Sequence, residues 1–257
     1  MSTFVEPDIT LSEGEGLRYL HFGTEWVQGA MCIARPDALP IEYTRKMMGW
    51  LLFLRARQNV LQLGLGAASL TRYSLAKLPD SEFSVVEPSR RVIQAARQWF
   101  HLPAESRRFR LFVDEGEAFV SRCPPESYGV LQVDVYDAQA QGPVLDSVAF
   151  YQQCRRILAK PGVMAVNLFG SHGSFAINLK RIKEVFEQRV VLLPQCESGN
   201  IVALAFNGPS FVASWAMLNS RATLLQRKFE LEAPEWVAKL RASSNEAQDG
   251  LVVGATG

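Results

Sequence analysis

The chain is short of cysteine and histidine and has no surplus of either charge. Its four cysteines, Cys32, Cys123, Cys154 and Cys196, show no paired spacing. That argues against a disulfide framework and fits free thiols in a reducing compartment. The three histidines, His21, His101 and His172, are far apart and form no ligand pattern, so no metal is expected. Lysine and arginine number 27 against 26 aspartates and glutamates. A duplex-binding protein carries a basic excess, so nucleic acid is not an expected partner. A balanced total still permits an acidic pocket, because pocket charge is local. The longest apolar runs, such as WLLFL at 50–54, are too short to span a bilayer. The N-terminal MSTFVEPDIT has neither the basic start nor the apolar stretch of a signal peptide. The expectation is a soluble, cytoplasmic protein without a membrane partner. No Gly-x-Ser-x-Gly elbow and no Gly-x-x-x-x-Gly-Lys loop occurs, so hydrolase and P-loop chemistry lack their devices.

What is present suits a sizeable core. Of 257 residues, 48% are hydrophobic and 21% charged, and a fold of that size removes roughly three quarters of the extended chain's surface from water. Residues 1–16 carry Glu13-Gly14-Glu15-Gly16 and no apolar period, which predicts a flexible lead-in. YLHF and WVQGAMCI, with Gly23-Thr24 between them, predict a small antiparallel β-unit. A helix follows over 43–54, closing an N-terminal unit at 17–54. From residue 55 to 208 strands and helices alternate. Strands are predicted over 60–63, 83–86, 109–113, 130–133 and 163–168. Helices are predicted over 69–77 and 90–99, from Gly116, from Asp146 or Ser147 to 158, and over 175–186. Segments 190–193 and 201–206, joined only by PQCESGN, predict an antiparallel hairpin. Residues 209–257 read as a helical extension, WAMLNSRATLLQRKF and PEWVAKL, with a frayed tail. The fold class is therefore α/β: a doubly wound, mostly parallel seven-stranded sheet with one antiparallel edge strand, behind a small β-unit. Such sheets bind ligands beyond the carboxyl ends of their strands.

Four strand ends carry candidate residues. Gly64-Leu65-Gly66-Ala67-Ala68-Ser69 follows the first strand, and glycine at a strand-to-helix turn lets backbone approach a ligand closely. Alone, the turn fits a ligandless bend equally. Glu87 ends the second strand at a distance suited to accepting both hydroxyls of a ribose, and together the two features favour a nucleoside. After the third strand, Asp114 and Glu115 could accept an adenine amine or could be ordinary acids at a helix start. The fourth strand runs into Asp134, with Asp137 three residues on. Two such close carboxylates repel and lose solvation if buried, a conflict that a cationic ligand would resolve; two solvated loop acids are the other reading, more open to Asp137 than to Asp134.

In order and spacing, YLHFGTEWVQGAM, EYTRKMM, NVLQLGLGAAS, SVVEPSRRVIQAAR, EGEAFV, LQVDVYDAQAQGP and FYQQCRRILAKPGVMAVNL resemble the polyamine aminopropyltransferases, the spermidine synthase family. The likeness covers roughly residues 17–207. It implies the methyltransferase-like variant of the Rossmann fold, a dimer or tetramer with a homodimer as the expectation, and decarboxylated S-adenosylmethionine, or else intact S-adenosylmethionine, as co-substrate. By the resemblance, Gly64 and Gly66 would cradle the adenosyl group, Glu87 the ribose, and Asp114 or Glu115 the adenine. Asp134 would be catalytic, Asp137 would bind the polyamine substrate, and Gln28 and Tyr43 would line its pocket. The chain departs from the pattern at three places. The turn aspartate that holds the donor's ammonium falls on Ala67, the glutamate two residues after the pocket tyrosine is Arg45, and the late tyrosine is missing from PQCESGN. Three functions follow as expectations. The first is aminopropyl transfer to a diamine such as putrescine. The alternatives are methyl transfer from intact S-adenosylmethionine and adenosyl-ligand binding without catalysis.

Overall fold

The computed structural model describes residues 6–136, 145–170, 172–244 and 249–254. An N-terminal antiparallel sheet comprises β1 (Thr10–Gly14), β2 (Leu17–His21) and β3 (Val27–Cys32), in that order. Strand β1 thus lies inside the stretch read as a lead-in. Its burial is slight, so no apolar alternation marks it; what orders it is backbone pairing with β2, from Thr10 opposite His21 to Gly14 opposite Leu17. Helix α1 (Glu42–Lys46) and a 3₁₀ turn at Gly49–Leu52 replace the single helix expected over 43–54.

The alternating region then runs β4 (Asn59–Leu63), α2 (Ser69–Lys77), β5 (Glu82–Val86), α3 (Arg90–Trp99), β6 (Phe109–Phe112), α4 (Gly116–Arg122) and β7 (Tyr128–Val133). It continues through α5 (Val148–Ile157), β8 (Leu158–Phe169), α6 (Phe175–Val185), β9 (Val190–Leu192) and β10 (Asn200–Asn207). Ser147 caps α5, its hydroxyl accepting the Phe150 N–H. The chain closes with β11 (Phe211–Ser214), α7 (Trp215–Phe229), α8 (Ala233–Ala242) and β12 (Gly250–Val253). Strand β12 pairs with β11, from Gly250 opposite Ser214 to Val253 opposite Phe211. Gly250–Val253, in the stretch read as frayed, is therefore a paired strand.

The central sheet has seven strands in the order β6-β5-β4-β7-β8-β10-β9. The first five pair in parallel. The hairpin forms one edge, with β10 antiparallel to both β8 and the outermost β9. Alternation of apolar residues fills both faces. Val60, Val85, Val130 and Val163 pack on one side with residues of α2, α3, α7 and α8. Leu61, Val86, Leu131 and Met164 pack on the other with residues of α4, α5 and α6. Among the described residues, no helix is long and apolar enough to cross a membrane.

Two polar side chains inside this apolar sheet fix the loops above it. Gln62 accepts from the Thr71 hydroxyl at 2.9 Å and donates to the Gly64 carbonyl at 2.7 Å. Gln132 donates to the Met47 carbonyl at 3.2 Å, tying β7 to the end of α1. The turn after β4 is tighter still. Gly64 has φ +90°, and a Cβ there would lie 2.1 Å from the Asp134 carbonyl oxygen. Gly64→Ala should therefore lower the unfolding free energy by roughly 2–5 kcal/mol, from backbone strain and overpacking together. Denaturant titration checks this, and a cost within error of zero would contradict it.

Candidate active site

The switch between β4 and β7 places two carboxylates on either side of Gly64. The Gly64 N–H donates to the Val86 carbonyl at 2.9 Å, and the Asp134 N–H donates to the Leu63 carbonyl at 3.0 Å. Glu87 follows β5 directly and is 8% exposed. Its carboxylate accepts the backbone N–H of Leu65 at 3.0 Å and of Ser89 at 2.9 Å. Burial pushes its pKa up to about 7, and the Glu6 carboxylate adds to the effect while the two backbone N–H groups oppose it. Gly66 lies under β3, where a Cβ would come within 3.2 Å of the Gln28 carbonyl. A Cβ on Gly29 would meet that of Ala67 at 2.7 Å. The N-terminal unit is thus closed down on the glycine turn, and the Ser69 hydroxyl donating to the Ala30 carbonyl at 2.6 Å holds it there.

Asp134 sits just beyond β7, and both its oxygens are held. The Tyr43 hydroxyl donates to Oδ2 at 3.2 Å and the Asn167 amide to Oδ1 at 3.0 Å. Burial raises its pKa, and these two hydrogen bonds oppose the rise. Burial, followed by the Asp134 charge, moves the Tyr43 phenol well above its ordinary value, so it stays a donor. The Tyr136 hydroxyl donates to the Asn167 carbonyl at 3.0 Å. Asn167 interrupts the apolar run VMAVNLF of β8, and that single polar residue in a buried strand was the available signal for it. Asn200, which opens β10 and donates to Asn167 at 3.0 Å, carried no such signal in a loop-flanked position.

The other candidates divide. Gly64, Gly66, Glu87, Tyr43, Asp134 and the Gln28 backbone converge on the same end of the sheet. Asp114 is ion-paired with Arg122 and accepts the Glu115 N–H at 2.9 Å. Glu115, before α4, is exposed. Asp137 lies outside the described residues. Arg45 donates to the Leu39 and Pro40 carbonyls and pairs with Glu232 at 2.7 Å. Buried Lys46 pairs with Glu42 at 2.6 Å and donates to the Gln195 carbonyl, while Glu42 accepts the Glu197 N–H at 2.9 Å. These contacts hold the PQCESGN loop against α1. Among the described residues, no group of three or more His, Cys, Asp or Glu side chains is placed to hold a metal ion.

An open doubly wound sheet with buried Glu87 and half-buried Asp134 at its strand tips, beside a glycine turn, gives an α/β protein with a methyltransferase-like fold. No protein-family model matches the chain. The polyamine aminopropyltransferase of Chromobacterium violaceum is 31% identical over 247 residues, 96% of this chain and 94% of that protein. A probable spermidine synthase from Corynebacterium glutamicum has a similar structure, with a TM-score of 0.70 at 23% identity, covering 95% of this chain and 93% of that one. A spermidine synthase in complex with the transition state analogue AdoDATO gives a TM-score of 0.60 at 22% identity, over 78% of this chain and 74% of that one. The two structures agree in fold, and the sequence relative fixes the family: the chain belongs to the polyamine aminopropyltransferases.

The buried Glu87 makes a pH-dependent prediction. Its ordinary value is 4.5, so between pH 4.5 and about 7 the unfolded chain ionises it while the folded chain keeps it protonated. The stability it contributes is fully present below that window and lost as pH rises through it. Unfolding free energies of wild type and Glu87→Gln should therefore shift in the variant's favour across the window, by up to roughly 3 kcal/mol. A difference independent of pH would contradict this.

Proposed function

We propose that the protein is a transferase that moves an aminopropyl group from decarboxylated S-adenosylmethionine to a small polyamine, of which putrescine is the simplest candidate. The observation that carries this reading is the pairing of Glu87 and Asp134 around Gly64 in a chain of this family. Glu87 would accept the ribose hydroxyls. Its carboxylate has lone pairs beyond the two already met by Leu65 and Ser89, and ribose donors would favour its ionised form. Gly64 and Gly66 would let backbone lie against the adenosyl group. Asp114 or Glu115 would meet the adenine amine, and exposed Glu115 is the less committed of the two.

Asp134 would face the sulfonium side of the donor. A substrate amine is an ammonium at neutral pH and cannot attack until it loses a proton. Asp134 would accept or orient that proton while the nitrogen lone pair attacks the aminopropyl carbon next to sulfur. The new C–N bond forms as the C–S bond breaks, its electron pair stays on sulfur, and methylthioadenosine leaves neutral. Because the sulfonium is already activated, in-line positioning would supply much of the rate. Tyr43, donating to Asp134, would hold the carboxylate toward the pocket, and Gln28 would line it from β3. The N-terminal sheet presents β1 as an exposed edge, which fits the homodimer implied by the family resemblance; a cytoplasmic setting fits the free cysteines.

Thermal stabilisation ranks the donors. At 100 times its dissociation constant, a bound ligand adds about 2.7 kcal/mol. Decarboxylated S-adenosylmethionine should stabilise the protein at lower concentration than intact S-adenosylmethionine, and the reverse order would favour methyl transfer. Asp134→Asn should lower kcat by about 10²–10⁴-fold with donor binding nearly unchanged. Normal turnover by that variant would remove Asp134 from the reaction.

A further inference from the structure

We propose that Asn200 is a positioning residue for Asp134, acting through Asn167. The inference rests on the role assigned to Asp134 above and adds a group two links away from the carboxylate. Hydrogen-bond chemistry sets the direction of the chain. An ionised carboxylate only accepts, so Asn167 must present its NH₂ to Asp134 Oδ1, at 3.0 Å. Its amide oxygen then faces Asn200, which must in turn present its own NH₂, again at 3.0 Å. The Asn200 oxygen is left to accept, and the Ser198 hydroxyl donates to it at 2.8 Å. Each amide can satisfy its neighbours in one orientation only. Ser198, Asn200 and Asn167 therefore deliver a donor to one chosen oxygen of Asp134, while Tyr43 delivers a donor to the other.

The anchoring is distributed across the sheet. Asp134 follows β7, Asn167 lies on β8 and Asn200 opens β10, so the chain spans three adjacent strands. Tyr136 fixes the Asn167 backbone from above. The titratable groups facing this cluster are Tyr43 of α1, with Cys196 beside it, and Tyr136, with Tyr151 of α5 beside it. All four are held above their ordinary values, chiefly by burial, and none ionises in the acid range.

The test compares a truncation with an isostere. Asn200→Ala removes the neutral hydrogen bond to Asn167, along with the one from Ser198, and should lower kcat by about 3–10-fold, with the KM for donor unchanged. Asn200→Asp keeps the shape but cannot donate. It draws the Asn167 NH₂ toward itself and turns the Asn167 oxygen onto Asp134. It should therefore be impaired about tenfold further than the alanine variant, and the acid limb of kcat at saturating donor should move to higher pH. Asn200→Gln, which restores the amide, should recover part of the loss. A residue serving only to fill space would show the opposite order, with the isostere milder than the truncation. Carboxyl-carbon NMR titration of Asp134 in the same variants reads the effect without turnover and after confirming folded protein. An upward displacement in Asn200→Asp supports the proposal. If Asp134→Asn is inactive yet Asn200→Asp is no worse than Asn200→Ala and the Asp134 titration is unmoved, the positioning role is overturned alone. If Asp134→Asn turns over normally, the assignment of Asp134 falls first and takes this one with it.

Discussion

The approach of the Asp134 carbonyl to Gly64, closer than any side chain would allow, is the contact around which the rest is arranged. It brings the tip of β7 against the turn after β4, and the backbone N–H of Leu65 in that same turn reaches Glu87 beyond β5. Three neighbouring strands thereby deliver two carboxylates and a bare stretch of backbone to one place. Gln62 and Gln132 keep that geometry from below, each buried in an apolar sheet and each spending its amide on a loop carbonyl. The N-terminal unit closes the arrangement from above, with Gly29 and Ala67 in contact and Tyr43 reaching Asp134.

The poor solvation of buried Glu87 and half-buried Asp134 has a chemical consequence. Each lies where its charge is poorly solvated, and each is held above its ordinary pKa by that burial. Backbone N–H groups offset part of the cost at Glu87, and side-chain donors do so at Asp134. A ligand carrying hydroxyl donors at one end and positive charge at the other would complete the compensation at both, as a sulfonium-bearing nucleoside meeting an amine would in the proposed reaction. The packing of Gly29 on Ala67 also explains one departure from the family pattern in physical terms: β3 occupies the space over that position, and a larger side chain there would have to displace it.

The sequence was most informative where a residue type had one physical use. Short apolar runs and turn signals located the strands and helices of the central sheet, and the spacing from Gly64 to Glu87 fits the meeting of the glycine turn with that carboxylate at the Leu65 N–H. It was least informative where ordering comes from pairing rather than burial. Strand β1, largely exposed, and strand β12, in the tail read as frayed, are defined by hydrogen bonds to partners that no local pattern announces. Arg45 stood out in the sequence only as a departure from the family pattern, whereas in the structure its guanidinium is engaged by the Leu39 and Pro40 carbonyls and by Glu232. Asn167 was visible only as an interruption in an apolar strand, and Asn200 becomes meaningful only through Asn167. Hydrogen-bond networks across strands are tertiary facts, legible once strand order is known.

In the proposed reaction, Asp134 and Glu87 serve one group transfer on an adenosyl sulfonium. Product analysis of the purified protein tests it most directly. Given decarboxylated S-adenosylmethionine and a mixture of polyamines, the protein should yield an acceptor heavier by one aminopropyl unit and an equal amount of methylthioadenosine. A methylated acceptor with intact S-adenosylmethionine, or tight donor binding with no change in any acceptor, would contradict it.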